Sequence, residues 1–532
     1  MPTDHPAPPA RRAGLLVPLF SIPSERSWGV GEIGDIEWLA RWCEAAGFRL
    51  VQLLPINEMP VHETSPYSAL SAMAIDPQYL SMHAIEEFGD LGGEAALEPD
   101  LRTRLEAVRS SPTIDYAGVR WLKDTVLRRC FGRFRDVHLH GGTRRSAAFH
   151  AWLEMERWWV DDYALFRALH ADQDERAWTD WPEPLRNREP EALAAARTAL
   201  ADEVQYRAWL QWLAADQWGT ARDRAGRVAL FGDLPFMVGG DSADVWARQE
   251  VFRLDASVGV PPDAFSETGQ DWGLPVYRWD VLEARDFDWL RARARRNAAL
   301  YDGYRIDHLV GFYRTYFRPH DGSPAAFVPA DPDAQRRLGE QVLSVMREAG
   351  AELVAEDLGV VPDFVRASLQ TLGVPGYRVF RWERAWDDEG QPFSDPIDYP
   401  RLSLATSGTH DTEPMVLWWE QAGADERTAV LAIPSVAARL APEDVAAAIG
   451  DASLAHAVRE ALLEVLYAAG SSLVVLPVQD IFGWRERINQ PATVGPHNWT
   501  FRLPWPVDRL SRQPESLALA TQLAEWSARH GR

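Results

Sequence analysis

The sequence predicts an α/β protein built on a (β/α)8 TIM barrel, with a large, mainly helical insertion between strands 2 and 3 and no C-terminal β-sandwich domain. Three observations lead to this prediction. Short apolar runs alternate with helical patterns eight times, one gap between runs is far too long for a single helix, and the chain ends in a helical pattern. With 532 residues, the chain is long enough for one such barrel with insertions.

Eight runs have the length and the apolar, partly β-branched composition of buried parallel strands. In chain order they are Leu15–Leu19, Leu50–Leu54, Val228–Asp233, Gly303–Asp307, Leu353–Glu356, Tyr377–Phe380, Leu402–Thr406 and Leu473–Pro477. Amphipathic patterns such as Asp35–Ala46 and Asp333–Ala349 lie between them and predict helices. Repeated alternation of strand and helix is typical of a barrel of parallel strands.

The gap between the second and third runs predicts an insertion at residues 55–226. Its composition indicates mainly helix, for example at Glu191–Glu203 and Tyr206–Asp216. We expect residues 13–532 to form one catalytic barrel domain, with 55–226 as a helical subdomain over the active-site face and a last helix near Pro514–Arg529. Residues 1–12 are rich in Pro and Ala, have no apolar segment typical of a signal peptide, and are expected to form a disordered tail.

Composition excludes several classes of function. A formal charge of -23 repels phosphate backbones, so nucleic acid is not expected as a partner. The lysine Lys123 follows no glycine-rich loop, which argues against a phosphate-binding P-loop. No run approaches the roughly 20 apolar residues needed to span a bilayer, so no membrane partner is expected. Two cysteines cannot form a disulfide framework, which fits a reducing compartment and predicts a cytoplasmic protein.

Carboxylates follow four of the predicted strands, at the end where barrel enzymes place their chemistry. Asp233, Asp307 and Glu356 end the third, fourth and fifth runs, and Asp411 follows the seventh. Glycoside chemistry uses such a set: one carboxylate attacks the anomeric carbon, a protonated one gives its proton to the leaving oxygen, and a third stabilises charge. One such acid alone could equally be a helix cap or an ion-pair partner, but three in this order favour catalysis.

The motifs around these acids resemble those of the α-amylase clan and, in detail, the amylomaltase or disproportionating-enzyme family, glycoside hydrolase family 77. The likeness runs from about Gly14 to Pro504. It includes Ser-Pro-Tyr-Ser at 65–68, Gly-Asp-Leu-Pro-Phe-Met-Val at 232–238, Val-Pro-Pro-Asp at 260–263, Thr-Gly-Gln-Asp-Trp-Gly at 268–273, Arg-Ile-Asp-His at 305–308, Gly-Thr-His-Asp at 408–411, Pro-Val-Gln-Asp at 477–480, Arg-Ile-Asn at 487–489 and Asn-Trp at 498–499. The resemblance implies a 4-α-glucanotransferase that retains configuration by double displacement.

The resemblance also implies catalytic roles. Asp307 would be the nucleophile, and Arg305, two residues earlier on the same strand face, would hold it ionised and oriented. Glu356 would be the general acid and then the base, which requires a raised pKa before attack. Asp411 would brace the ring hydroxyls in the transition state, with His410 beside it.

Further residues are implied in substrate binding. Tyr67 and Asp233 would line the subsite of the transferred glucose, with Tyr67 as a stacking platform. The sugar-binding cleft would also include Asp263, Gln270, Trp272 and Asn489. The expected partners are maltooligosaccharides and α-1,4-glucans, and the acceptor is the 4-hydroxyl of glucose or of another glucan. This chemistry needs no cofactor, and we find no loop with the pattern of a calcium site, so no metal is expected.

Two other functions remain open on the sequence. An α-glucan hydrolase would use the same acids, because bond cleavage is identical up to the covalent intermediate. A non-catalytic glycan-binding or regulatory protein would keep the aromatic residues, among them 24 tryptophans, but would need none of the three acids.

Overall fold

The structure is a computed structural model that describes residues 10–262, 269–491 and 493–532. The strands are β1 (Arg12–Leu16), β2 (Leu50–Gln52), β3 (Ala229–Leu234), β4 (Phe252–Val260), β5 (Gln270–Tyr277), β6 (Gly303–Ile306), β7 (Thr315–Pro319), β8 (Ala326–Val328), β9 (Glu352–Ala355), β10 (Gly376–Val379), β11 (Ser403–Thr406) and β12 (Leu473–Pro477). Eight of them close a parallel barrel in the order β1-β12-β11-β10-β9-β6-β3-β2. The predicted (β/α)8 barrel is therefore confirmed.

Each of the eight predicted runs supplies one barrel strand, because strands covered on both faces must be apolar along their whole length. Every residue of β11 and β12 is buried. The prediction for the first strand was three residues too late: the strand ends at Leu16, and Leu19–Ser21 forms a 3-10 turn after Pro18. Pro18 has no N–H to donate to a ladder, so it does not extend the strand.

The helices lie around and above the barrel. They are α1 (Ile36–Ala45), α2 (Glu86–Asp90), α3 (Pro99–Ser110), α4 (Tyr116–Phe134), α5 (Arg144–Asp172), α6 (Glu183–Arg186), α7 (Pro190–Ala199), α8 (Ala201–Ala225), α9 (Ala243–Ala247), α10 (Trp279–Ala284), α11 (Asp288–Leu300), α12 (Val310–Tyr313), α13 (Pro332–Arg347), α14 (Asp363–Leu372), α15 (Met415–Gln421), α16 (Ala424–Leu431), α17 (Pro434–Ala437), α18 (Pro442–Gly450), α19 (His456–Ala468), α20 (Val478–Phe482) and α21 (Pro514–Arg529). Within the described chain, no helix is long and apolar enough to cross a membrane.

The segment between β2 and β3 contains α2 to α8. Its last helix, α8, also belongs to the barrel wall, because it packs on α1 and the indole of Trp218 donates to the Leu300 carbonyl at 2.7 Å. The helix predicted at Glu191–Glu203 is interrupted at Leu200, between α7 and α8. The described part of the chain after β12 contains α20, a 3-10 turn and α21, and no strand.

A second, antiparallel sheet was not predicted. Its strands have the order β5-β4-β7-β8, and they come from the segments before and after β6. Alternation of exposed and buried residues is weak in β4, whose run Phe252–Val260 begins with three exposed residues after Phe252. These strands contain charged residues and a bulge, so their periodicity is poor. Trp272 of β5 contacts the ring of His308, which brings this sheet close to the carboxyl end of β6.

Candidate active site

Parallel register brings the predicted acids together. In the barrel, Asp233 of β3 pairs with Arg305 of β6, and Ile306 of β6 pairs with Ala355 of β9. Asp307 and Glu356 are the next residues after β6 and β9. Neighbouring parallel strands end at the same edge of the barrel, so these side chains meet at its carboxyl end.

Arg305 is the centre of this group. Its guanidinium is buried, and Nη1 donates to both carboxylate oxygens of Asp233 at 2.8 and 2.7 Å. Its other terminal nitrogen, Nη2, lies 2.9 Å from Asp307 Oδ1 and 3.1 Å from Glu356 Oε1. One cation therefore contacts three carboxylates from three strands. Burial opposes the charge on the guanidinium, but the surrounding carboxylates outweigh it and raise the pKa of Arg305 well above its ordinary value.

The pKa of Asp307 differs from the sequence prediction. Burial, together with the negative charges of Glu356 and Asp233, raises the pKa of Asp307 to about 8, although Arg305 acts in the opposite direction. The prediction that Arg305 would hold Asp307 ionised is wrong for the unliganded protein, because burial and the charges of Glu356 and Asp233 outweigh the attraction of Arg305. Contact between Arg305 and Asp307 is as predicted.

The pKa of Glu356 is lowered, whereas from the sequence we expect it to be raised. Burial raises it, but Arg305 and the backbone N–H of His308, which donates to Glu356 Oε2 at 2.6 Å, outweigh burial and lower the pKa of Glu356. The predicted raised pKa of Glu356 is therefore wrong for the unliganded protein. The opposite directions of the two shifts favour a proton on Asp307 over one on Glu356 in the unliganded protein.

The spacing of Asp307 and Glu356 bears on stereochemistry. Oxygens of both carboxylates lie about 3 Å from the same nitrogen of Arg305, so they are at most about 6 Å apart. Retaining glycosidases have carboxyl groups about 5–5.5 Å apart, whereas inverting ones need about 6.5–9.5 Å to admit a water. Both side chains keep exposed surface, 26% for Asp307 and 20% for Glu356. The pair is therefore open to a ligand and compatible with retention.

A second group faces the pair from the other side of the barrel. The hydroxyl of Tyr67 donates to Asp233 Oδ2 at 2.8 Å and lies 3.0 Å from Nε2 of His410. The rings of Tyr67 and His410 stack at 5.4 Å with an interplanar angle of 19°. Nε2 of His410 also lies 3.2 Å from Asp411 Oδ2, and the amide of Asn489 donates to Asp411 Oδ1 at 2.6 Å.

These contacts fix the charge of Asp411. Burial raises its pKa, but His410 and the amide of Asn489 outweigh burial and hold the pKa of Asp411 well below its usual range. Burial lowers the pKa of His410, but the charge of Asp411 outweighs it and raises that pKa. Asp411 is therefore an ionised carboxylate with 40% of its side chain exposed.

The remaining predicted binding residues differ in their placement. The side chain of Asp233 has no exposed surface, so it orients Tyr67 and Arg305 and cannot itself contact a sugar in this structure. Trp272 and Gln270 are on β5, where the indole donates to the Gln270 side chain at 3.2 Å. The Trp272 ring also contacts the ring of His308, at 4.8 Å. Asp263 lies outside the described residues.

Three functional residues were missed as site candidates. His308 supplies the backbone N–H to Glu356 and has a φ of +44°, which no local sequence signal announces. Trp499 packs on the rings of Tyr67 and His410 at 5.8 and 5.9 Å. Arg487 donates to the backbone carbonyl of Asp411 at 2.9 Å. All three residues stand in motifs quoted above, so a signal existed for each of them. Among the described residues, no cluster of His, Cys, Asp or Glu could hold a metal ion.

Comparison with known proteins agrees with this geometry. A family model described as 4-alpha-glucanotransferase, glycoside hydrolase family 77, matches residues 17–508. The chain belongs to glycoside hydrolase family 77. The predicted family and the predicted type of enzyme, a 4-α-glucanotransferase, are therefore confirmed.

Individual relatives cover nearly the whole chain. A 4-alpha-glucanotransferase of Thermus thermophilus is 33% identical over 513 residues, which is 93% of this chain and 95% of that protein. One of Chlamydia pneumoniae is 31% identical over 501 residues, 92% of this chain and 91% of that protein. Among solved structures, an amylomaltase of Streptococcus agalactiae in complex with acarbose is 26% identical, with a TM-score of 0.82 and coverage of 98% of this chain and 99% of that one.

Proposed function

We propose that this family 77 chain transfers α-1,4-glucan segments from a maltooligosaccharide or glucan donor to the 4-hydroxyl of glucose or of another glucan, with Asp307 as nucleophile and Glu356 as acid and base. The observation that carries the assignment is the shared contact of both carboxylates with Nη2 of Arg305. It holds the two groups at a spacing that suits a covalent intermediate.

In the first step, Asp307 attacks the anomeric carbon while Glu356 protonates the leaving glucan. The one proton of the pair must then be on Glu356, whereas the pKa shifts of the unliganded protein favour it on Asp307. Positive charge that develops on the sugar ring favours the ionised form of Asp307, and the leaving oxygen beside Glu356 favours its protonated form. The transition state therefore favours the shift of the proton from Asp307 to Glu356.

In the second step, Glu356 accepts the proton of the acceptor 4-hydroxyl, which displaces Asp307 from the anomeric carbon. Asp411 is ionised throughout and binds ring hydroxyls, and His410 and Asn489 hold it in position. Transfer in place of hydrolysis requires a cleft in which an acceptor sugar competes successfully with water.

The insertion would contribute one wall of that cleft. Tyr67 lies between β2 and β3, within the segment 55–226, and reaches Asp233 and His410 of the barrel. We retain residues 13–532 as the catalytic barrel domain and 55–226 as its inserted subdomain. The free, buried thiols of Cys43 and Cys130 support a cytoplasmic location.

The product profile on maltotriose tests this proposal. We expect glucose together with a ladder of longer maltooligosaccharides, because each transfer releases a short product and lengthens an acceptor. Chromatography of a time course measures both. Glucose and maltose alone, with no longer chains, would identify a hydrolase instead.

The pH dependence of kcat/KM for maltotriose should be bell-shaped. The active pair carries one proton, so activity is lost above about pH 8, where Asp307 of the unliganded protein gives it up. On the acid side, activity is lost when Glu356 takes a second proton, which occurs below its ordinary value of 4.5 because its pKa is lowered. Initial rates at constant ionic strength measure this profile. An acid limb near pH 6 or a constant rate up to pH 10 would contradict the shared proton.

A further inference from the structure

A groove outside the catalytic group runs along the barrel rim beside the segment after β12. Its volume is about 830 Å³, within the range of about 300–1,000 Å³ that is usual for small-molecule sites. Its lining includes Ser111 and Thr113, which follow α3, and Trp484, Glu486 and Arg502 from the segment after β12. None of these residues takes part in the catalytic contacts described above.

Trp484 gives the groove a rigid aromatic wall. Its ring stacks on Phe482 at 4.3 Å with an interplanar angle of 7°, and Trp505 and Phe501 contact it at 5.8 and 6.1 Å. Three rings therefore fix its orientation, while the indole remains half-buried and lines the groove. An aromatic side chain held in this way offers a flat apolar surface at little cost in side-chain entropy.

Polar groups that suit hydroxyls also line the groove. The guanidinium of Arg502 donates to the backbone carbonyls of Ser111 and Val108 at 2.9 and 3.3 Å, which links the segment after β12 to the end of α3 and the residue that follows it. Glu486 is exposed, and the hydroxyl of Thr113 is on an exposed residue. Guanidinium groups donate and carboxylates accept charge-assisted hydrogen bonds, which the hydroxyls of a sugar can complete.

Two contacts join the groove to the reaction centre. Arg487 lines the groove and donates from Nη2 to the backbone carbonyl of Asp411 at 2.9 Å. His497 and Thr500 also line it, and Trp499 between them packs on Tyr67 and His410. The inner end of the groove is therefore one side chain away from the catalytic group.

We propose that this groove binds a segment of an α-1,4-glucan whose other part occupies the catalytic cleft, with Trp484 as its stacking platform. This inference depends on the proposed glucan transfer, and it names a binding site that this transfer does not require for short substrates. A trisaccharide that fills the catalytic cleft would not extend along the groove, whereas a long glucan would contact both.

The test compares two substrates in the variant Trp484→Ala. For a long linear α-1,4-glucan, we expect KM to rise by about tenfold, the loss expected for one aromatic contact. For maltotriose, kcat/KM should change by less than about twofold, because a trisaccharide in the catalytic cleft does not extend along the groove to Trp484. The matched control is Trp121→Ala, an indole on α4 that is 55% exposed and does not line the groove. It should leave both substrates unchanged.

A second variant tests the groove independently of whether Trp484→Ala folds. Thr113→Arg places a long side chain in the groove from an exposed position, and it should raise KM for the long glucan alone. Equal changes in KM for both substrates, or no change for either substrate in a folded variant, would overturn the proposal that the groove binds glucan. If the unmodified protein does not transfer glucan from maltotriose, the proposed function itself is overturned. The failure of the groove proposal and the failure of the proposed function are therefore distinguishable.

Discussion

Replacement of Asp307 by asparagine should reduce transfer from maltotriose by about 10⁴-fold or more, the scale of loss when a catalytic nucleophile is removed. An amide has nearly the same shape as the carboxylate, and its oxygen can still accept from Arg305, but it cannot form the covalent glycosyl ester. Binding of maltotriose should therefore persist, which calorimetry on the inactive variant measures. Surviving turnover would exclude Asp307 as nucleophile.

The thermal stability of Asp307→Asn shows whether its loss of activity is chemical or results from unfolding. Burial and the neighbouring acids already disfavour the charge of Asp307, so the neutral Asp307→Asn variant should unfold at the same temperature or higher. The matched control is Asp280→Asn, an exposed carboxylate on α10, which should change neither rate nor stability. A marked drop in the melting temperature of Asp307→Asn would contradict the raised pKa.

The variant Glu356→Gln should lose about 10²–10⁴-fold in transfer from maltotriose, the usual contribution of general acid–base catalysis. The loss should depend on the leaving group. A maltosyl fluoride donor needs no protonation to leave, so its first step should be largely restored. The second step lacks a base for the acceptor hydroxyl, and a glycosyl-enzyme on Asp307 should accumulate, which mass spectrometry of the intact protein detects.

The control for this variant lies on the same strand. Glu352 begins β9, is half-exposed and pairs with Arg12, so Glu352→Gln should retain full activity with both donors. An equal loss of Glu356→Gln with maltotriose and with the fluoride would mean that Glu356 only supports the structure of the site.

Local sequence was sufficient to locate the barrel strands. Parallel strands buried on both faces must be apolar, so runs such as Leu473–Pro477 were visible without any tertiary information. The antiparallel sheet was missed because its strands carry charged residues and a bulge, and pairing partners such as β4 and β7 are far apart in the chain. Their stability depends on that pairing more than on their own pattern.

The candidate site likewise has features that the local sequence predicts and features that depend on tertiary contacts. The identity of Asp307, Glu356 and Asp411 followed from their positions after strands, because a barrel brings such positions to one face. Asp233 was predicted to contact the sugar, and the structure places it behind Tyr67 and Arg305 with no exposed side chain. Position along a strand indicates the face that a residue occupies, but not which neighbours cover it.

The sequence by itself determined the barrel, the order of the acids and the family, since these depend on the pattern along the chain. Only the tertiary structure decided the opposite pKa shifts of Asp307 and Glu356. Arg305 shares one charge among acids from three strands, and the backbone of His308 adds a hydrogen bond to Glu356. Electrostatic energy depends on distances between groups that are remote in sequence, so no local pattern contains it.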